Sequence, residues 1–268
     1  MQDIKIETVT TNSFSMNYFR FGNGKNTLVI LPGLSVQSVM GSAKAVAGAY
    51  RCLTDDFTIW LFDRRNELPA SYSVRDMARD MTVVLRVLGL DKVCVFGASQ
   101  GGMIAMDMAI SSPELLRKLV LVSTSARITD EKFRAIEEWT ALAEAGKKKE
   151  LYLAFGEAIY PKGLFESSKE LLTAVSETVT DEELERFVIL ARGVKSHNVY
   201  DELEKIACPV LVIGSSDDKL LGAEASELIA ERLKGRQGTE LFMYDGCGHA
   251  VYDTAPDFKE RMLRWLLQ

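Results

Sequence analysis

Val93-Cys94-Val95-Phe96-Gly97-Ala98-Ser99-Gln100-Gly101-Gly102-Met103-Ile104-Ala105 is the stretch on which the fold turns. A short apolar run with strand character meets a helical pattern, and the only residues between them are small ones around a serine. Gly-x-Ser-x-Gly at such a junction is a nucleophile elbow. So tight a turn forces the serine into an unfavourable backbone conformation and leaves little room for neighbouring side chains. Gly97, Ala98, Gly101 and Gly102 meet that demand. The hydroxyl of Ser99 is then expected above the sheet, beside the first N–H groups and positive dipole end of the helix that follows.

Two further segments offer what a serine nucleophile needs. Pro209-Val210-Leu211-Val212-Ile213-Gly214-Ser215-Ser216-Asp217-Asp218 reads as a buried strand that runs into a loop with two carboxylates. Leu241 to Tyr244 is a short apolar run followed by Asp245-Gly246-Cys247-Gly248-His249, which delivers an imidazole from a strand end. A weak hydroxyl nucleophile requires a base within reach, and the base requires a carboxylate to orient it. The chain has only two histidines, His197 and His249, and His249 is the candidate base. Asp217 and Asp218 are both candidates for the acid.

Serine, then acid, then histidine is the order found in the α/β-hydrolase triad, and the chain resembles that family over nearly its whole length. Leu28-Val29-Ile30-Leu31-Pro32-Gly33-Leu34 is similar to the family's strand and oxyanion loop. Phe62-Asp63-Arg64-Arg65 is similar to the loop after the next strand, and Gly248-His249 to the terminal histidine loop. Many members carry His-Gly where this chain has Pro32-Gly33, and proline where it has Gly222. The resemblance implies Ser99, Asp218 and His249 as catalytic residues, with Asp218 favoured over Asp217 because Asp218-Lys219-Leu220-Leu221-Gly222 follows the family's spacing. It also implies backbone N–H donors at Leu34 and Gln100. Asp63, Arg64 and Arg65 are read chiefly as members of a structural ion pair, with an approach to the pocket rim as the alternative, and His197 as structural.

At 268 residues with 47% hydrophobic side chains the chain suffices for one large core. Strand-like runs at Leu28–Leu31, Thr58–Phe62, Lys92–Phe96, Lys118–Val122, Val210–Ile213 and Leu241–Tyr244 alternate with helical patterns, after an antiparallel hairpin formed by Ile4–Thr10 and Phe14–Phe21. That alternation predicts an α/β fold, a mostly parallel eight-stranded sheet with helices on both faces. Ser73-Val74-Arg75-Asp76 is a capped helix start, and Met77 and Met81 behind it are core filler. Between Arg127 and Asp201 the strand pattern lapses, and several helical segments carry Trp139, Phe155, Phe165 and Phe187. So long an interval is no plain loop. The resemblance implies a helical cap at residues 126–203 over a core of 1–125 and 204–268. Any one of its aromatics is first read as stitching the cap to the core, while the apolar face as a whole, with Trp139, Phe155 and Phe165, is expected to set the preference among acyl chains.

A net charge of -6 speaks against a nucleic-acid footprint, and Lys147-Lys148-Lys149 is read as a solvated helix end. No apolar run approaches the length of a membrane span. The alternating charges of Met1-Gln2-Asp3-Ile4-Lys5-Ile6-Glu7 lack the apolar stretch of a secretory signal. Cys52, Cys94, Cys208 and Cys247 are widely spaced, as reduced thiols in a cytoplasmic protein are. Cys94 is expected in the core, and Cys247 as a bystander within reach of solvent. With one of two histidines assigned, no metal site is expected and no cofactor is implied. The expected partner is a small-molecule acyl substrate, and a homodimer stays open. Hydrolysis of a carboxylic ester through an acyl-enzyme leads. Cleavage of a C–C bond in a diketone with the same triad, or small-ligand binding without turnover, are the alternatives. Serine at the nucleophile position disfavours the epoxide hydrolase and haloalkane dehalogenase branches.

Overall fold

The computed structural model describes residues 4–268. The first three residues of the charged N-terminal stretch lie outside them. The elements run β1 (Ile6–Thr10), β2 (Ser15–Phe21), β3 (Asn26–Leu31), α1 (Ala43–Ala49), β4 (Phe57–Arg65), α2 (Val74–Val87), β5 (Val93–Ala98), α3 (Gln100–Ser111) and β6 (Leu116–Val122). Four helices follow: α4 (Asp130–Glu144), α5 (Lys148–Ile159), α6 (Lys162–Ser176) and α7 (Asp181–Arg192). The chain closes with β7 (Val210–Ser215), α8 (Ala223–Arg232), β8 (Thr239–Tyr244), α9 (Val251–Thr254) and α10 (Phe258–Leu267).

The eight strands form one sheet in the order β1-β2-β4-β3-β5-β6-β7-β8. The β1–β2 and β2–β4 pairs are antiparallel, and every pair from β4 onward is parallel. Side chains of a strand alternate between faces, and here both faces are buried. Val29, Leu31, Val93 and Val95 enter one core with α2 and α3, whereas Leu28, Ile30, Cys94 and Phe96 enter the other with α1 and α10. Burial on both sides explains why these strands read as unbroken apolar runs.

Register brings the functional loops together. Leu31 lies opposite Gly97, Ala98 opposite Val122, Val122 opposite Ile213 and Ser215 opposite Tyr244. The carboxyl ends of β3, β5, β6, β7 and β8 are therefore level, and the segments after them emerge along a single edge of the sheet. Crevices outside the carboxyl ends of strands are where open α/β sheets bind ligands.

Helix α2 starts where the sequence indicates. Ser73 and Asp76 form a capping box, and Met77 and Met81 are buried beneath it. Between β6 and β7 the helices α4 to α7 contain no strand, and the two ends of the segment are tied by a lone bridge between Arg127 and Asn198. The three lysines stand at a helix end, as expected, with Lys147 and Lys149 exposed and Lys148 half-buried. They open α5, and the Lys148 ammonium donates to the Val179 carbonyl at 2.7 Å and pairs with Asp181. Cys94 is fully buried, as expected, but Cys247 is also buried, at 7% exposure, and burial pushes its thiol up. The His249 loop folds inward at that point and takes the thiol with it. Among the described residues no helix is long and apolar enough to cross a membrane.

Candidate active site

Ser99 sits at the N-cap of α3 with φ 51° and ψ -120°, one of three non-glycine residues with positive φ among those described. Such strain persists only where the surroundings enforce it. Its N–H donates to the Val122 carbonyl at 2.9 Å, and its own carbonyl accepts from the Thr124 hydroxyl at 2.7 Å. The flanking glycines are needed for close approach. A Cβ on Gly101 would stand 1.9 Å from the Leu31 carbonyl oxygen, and one on Gly97 would stand 2.5 Å from the carbonyl oxygen of Gly101. The elbow thus locks against the end of β3, beside the Pro32–Leu34 loop.

His249 is 2% exposed and its Nδ1 lies 2.8 Å from Asp218 Oδ2. A carboxylate accepts, so Nδ1 carries a proton, and in the neutral ring Nε2 is then the nitrogen with the lone pair. That Nε2 is buried without a hydrogen-bond partner. Asp218 is held in turn by the backbone: its Oδ1 accepts from the N–H groups of Leu220 at 2.9 Å and Leu221 at 3.0 Å. Burial by itself raises a carboxyl, but the imidazole and these N–H donors outweigh it and hold Asp218 below its ordinary range.

Asp217 has a different task, one that sequence reading did not find. Its Oδ1 accepts from the Ser215 hydroxyl at 2.5 Å and from the Gly248 N–H at 3.1 Å. Burial opposes ionisation here too, and these donors overcome it, so its carboxyl is lowered. The side chain anchors the backbone next to the imidazole. Spacing favours Asp218 without separating the two acids cleanly; in the structure Asp218 faces the ring and Asp217 faces the Gly248 backbone.

Ser99, His249, Leu34 and Gln100 all line one cavity of about 30 Å³, which Met103, Ile136, Trp139, Phe155 and Tyr252 help to close. Trp139 and Phe155 pack against each other with centroids 4.6 Å apart. Phe165, grouped with them in the sequence reading, packs on Gly156 instead and does not border this cavity. His197 is elsewhere: buried, its Nδ1 is 3.5 Å from Asp107 Oδ2.

Arg64 departs from the main expectation for this loop, a structural ion pair. Asp63 does enter an ion pair, with Arg186 of α7 at 3.3 Å, but Arg64 turns inward and is 2% exposed. Its guanidinium donates to the Pro32 carbonyl at 2.7 Å and to Gln100 Oε1 at 3.1 Å, and Gln100 Nε2 donates onward to the Leu190 carbonyl at 2.8 Å. Burial pulls this guanidinium down to about 10. A signal was present in the sequence: Arg64 shares the period-two phase of buried Trp60 and Phe62.

The family model described as alpha/beta hydrolase fold matches residues 26–256. Among known proteins, "Putative carbamate hydrolase RutD" of Rhizobium rhizogenes (strain K84) is 26% identical over 249 residues, 90% of this chain and 92% of that protein. MGS-M2, an alpha/beta hydrolase enzyme from a Medee basin deep-sea metagenome library, superposes with a TM-score of 0.87 at 22% identity over 98% of both chains. The enol-lactonase of Burkholderia xenovorans LB400 superposes with a TM-score of 0.83 at 16% identity, covering 98% of this chain and all of that one. With its eight-stranded sheet, its strained serine elbow and a family match over most of its length, the chain belongs to the α/β-hydrolase fold family and is a hydrolase.

Proposed function

We propose that the protein is a serine hydrolase that cleaves a small or medium acyl substrate, a carboxylic ester foremost, through an acyl-enzyme. One observation carries the reading: a buried imidazole is fixed by a carboxylate at 2.8 Å through Nδ1, while its unpartnered Nε2 belongs to a residue on the wall of the same cavity as Ser99.

In this reading the Ser99 oxygen adds to the carbonyl carbon while its proton passes to His249 Nε2. Asp218 holds the ring in the required tautomer and stabilises the imidazolium. The carbonyl oxygen takes up the negative charge between the backbone N–H groups of Leu34 and Gln100, where preformed donors lower the barrier without reorganisation. When the tetrahedral intermediate collapses, the C–O bond to the leaving group breaks and the alcohol departs with the proton from His249. Water, deprotonated by the same ring, then attacks the acyl-enzyme and Ser99 is released as the hydroxyl.

The Rhizobium relative's name favours a second reading, a carbamate. Its carbonyl would meet the same serine: the C–O bond would break to release the alcohol, and water would then release a carbamic acid from the carbamoyl-enzyme. A fluorophosphonate probe tests the shared step, since it labels only an activated serine. Labelling at Ser99, lost in Ser99→Ala and accompanied by hydrolysis of aryl esters or carbamates, is expected. An unlabelled serine, or activity that survives Ser99→Ala, overturns the proposal and favours ligand binding without turnover.

A further inference from the structure

A second cavity, of about 370 Å³, adjoins the first. The two share Gly33, Leu34 and Tyr252 as walls. The contact with the serine is close: a Cβ added to Gly33 would stand 3.2 Å from Ser99 Cβ and 3.9 Å from Ser99 Oγ. The sizes are unequal. About 30 Å³ holds one or two waters and no ester, whereas ligand sites run from roughly 300 to 1,000 Å³, a range that includes the larger cavity.

The larger cavity lies between the sheet and α1, and no residue of α4 or α5 lines it. Its floor is apolar, with Ile30, Leu61 and Phe96. Its α1 wall is Ser42, Ala45, Val46 and Ala49, positions one helical face presents together. Small side chains on that face leave open a volume that larger ones would fill. One charge faces this space. Asp253 is exposed, yet protein crowds it enough that burial raises its carboxyl, with only the charge of Lys259 opposing. Asp253 is itself one of the residues that line this cavity. The nearby ammonium is engaged, since Lys259 Nζ donates to the Tyr252 carbonyl.

We infer that this cavity receives one arm of the substrate cleaved at Ser99, an alkyl or aryl group carrying a hydroxyl or ammonium that donates to Asp253, admitted past the partition of Leu34 and Tyr252. The inference rests on the serine hydrolase reading and adds the chemistry of the substrate's arm.

The test uses two sets of esters, one with acyl chains of increasing length on a fixed aryl alcohol and one with alcohols of increasing size on acetate, each with and without a terminal hydroxyl. Wild type is compared with Ala45→Phe, Val46→Phe and Asp253→Asn, with fluorophosphonate labelling and thermal melts alongside. The filling variants are expected to lose about tenfold in kcat/KM on the long members of one set, with under twofold change on the shortest ester; a tenfold loss corresponds to about 1.4 kcal/mol. The set affected identifies the arm as acyl or alcohol. Asp253→Asn conserves volume and should abolish the preference for hydroxyl-tipped chains. If labelling is intact and length and tip preferences are unchanged in all three variants, the cavity has no part in substrate binding and the inference falls alone. If wild-type Ser99 does not label, both readings fall.

Discussion

The guanidinium of Arg64 donates to the side-chain oxygen of Gln100 at 3.1 Å while it donates to the Pro32 carbonyl at 2.7 Å. A single buried cation therefore spans the two segments proposed to supply the oxyanion donors. Arg64→Met keeps much of the volume and removes both bonds. Misplacement of reacting groups by about 1 Å can cost 10²-fold, so a fall in kcat of about 10 to 100-fold is expected, with KM for a short ester changed little. Loss of buried hydrogen-bond partners should also lower stability by about 1–3 kcal/mol. Steady-state kinetics on Arg64→Met with a denaturant melt check both, and an undiminished kcat would show that the segments hold their places unaided.

The adjacent acids should separate by function. Asp218→Asn leaves the imidazole in the wrong tautomer, and the loss in kcat for the equivalent change in a serine protease is about 10⁴. Asp217→Asn keeps an oxygen that can accept from Gly248 and should cost under about tenfold. Asp217→Ala removes that anchor and should cost more, on the scale of a displaced rather than a missing group. Single-turnover rates on one aryl ester rank the three variants, and equal losses from Asp217→Asn and Asp218→Asn would mean that both acids serve the ring.

Acid should expose Asp218 as a stabilising group. Its folded pKa is depressed, so the unfolded chain takes up its proton first. The stability it contributes is complete above the ordinary carboxylate value of about 4 and is lost as pH falls through the lower folded value. The melting temperature of wild type should accordingly exceed that of Asp218→Asn at pH 7 by a margin that narrows below about pH 4.

Asp253 has the opposite sign. Burial raises its folded pKa, so its contribution to stability is full below about pH 4 and is lost as pH rises through the folded value. Asp253→Asn removes the desolvated charge and should raise the melting temperature at pH 7, a gain that disappears in acid. Melts at the two pH values suffice, and a variant less stable than wild type at pH 7 would mean that the carboxylate is stabilising.

Aromatic residues of the helical segment should divide by what they touch. Trp139 and Phe155 border the Ser99 cavity and Phe165 does not. Trp139→Ala and Phe155→Ala should change the kcat/KM ratio between short and long acyl esters, whereas Phe165→Ala should cost about 3–5 kcal/mol of stability as a buried truncation and leave that ratio alone. A shift in the ratio for Phe165→Ala as large as for the other two would place it on the path of the substrate.

Local chemistry was legible along the chain wherever it repeats with a fixed period or depends on near neighbours. The alternation of apolar strands and helical stretches implied the parallel sheet, because two-sided burial requires unbroken apolar runs. The small residues around Ser99 implied the elbow, because backbone segments there approach within contact distance, and the capping box at Ser73 depends on residues three apart. What the tertiary structure alone decided concerns direction. Asp217 and Asp218 are identical in type and adjacent, and the turn after β7 aims one at the ring and the other at the Gly248 backbone. Arg64 reads as a member of an ion pair, and only the folded sheet brings it to the Pro32 carbonyl. Phe165 has the same helical surroundings as Phe155, but packing sends it away from the serine. The second cavity has no motif at all, since a volume is the difference between surfaces contributed by β3, α1 and the segment around Tyr252, which are remote in sequence and meet only after folding.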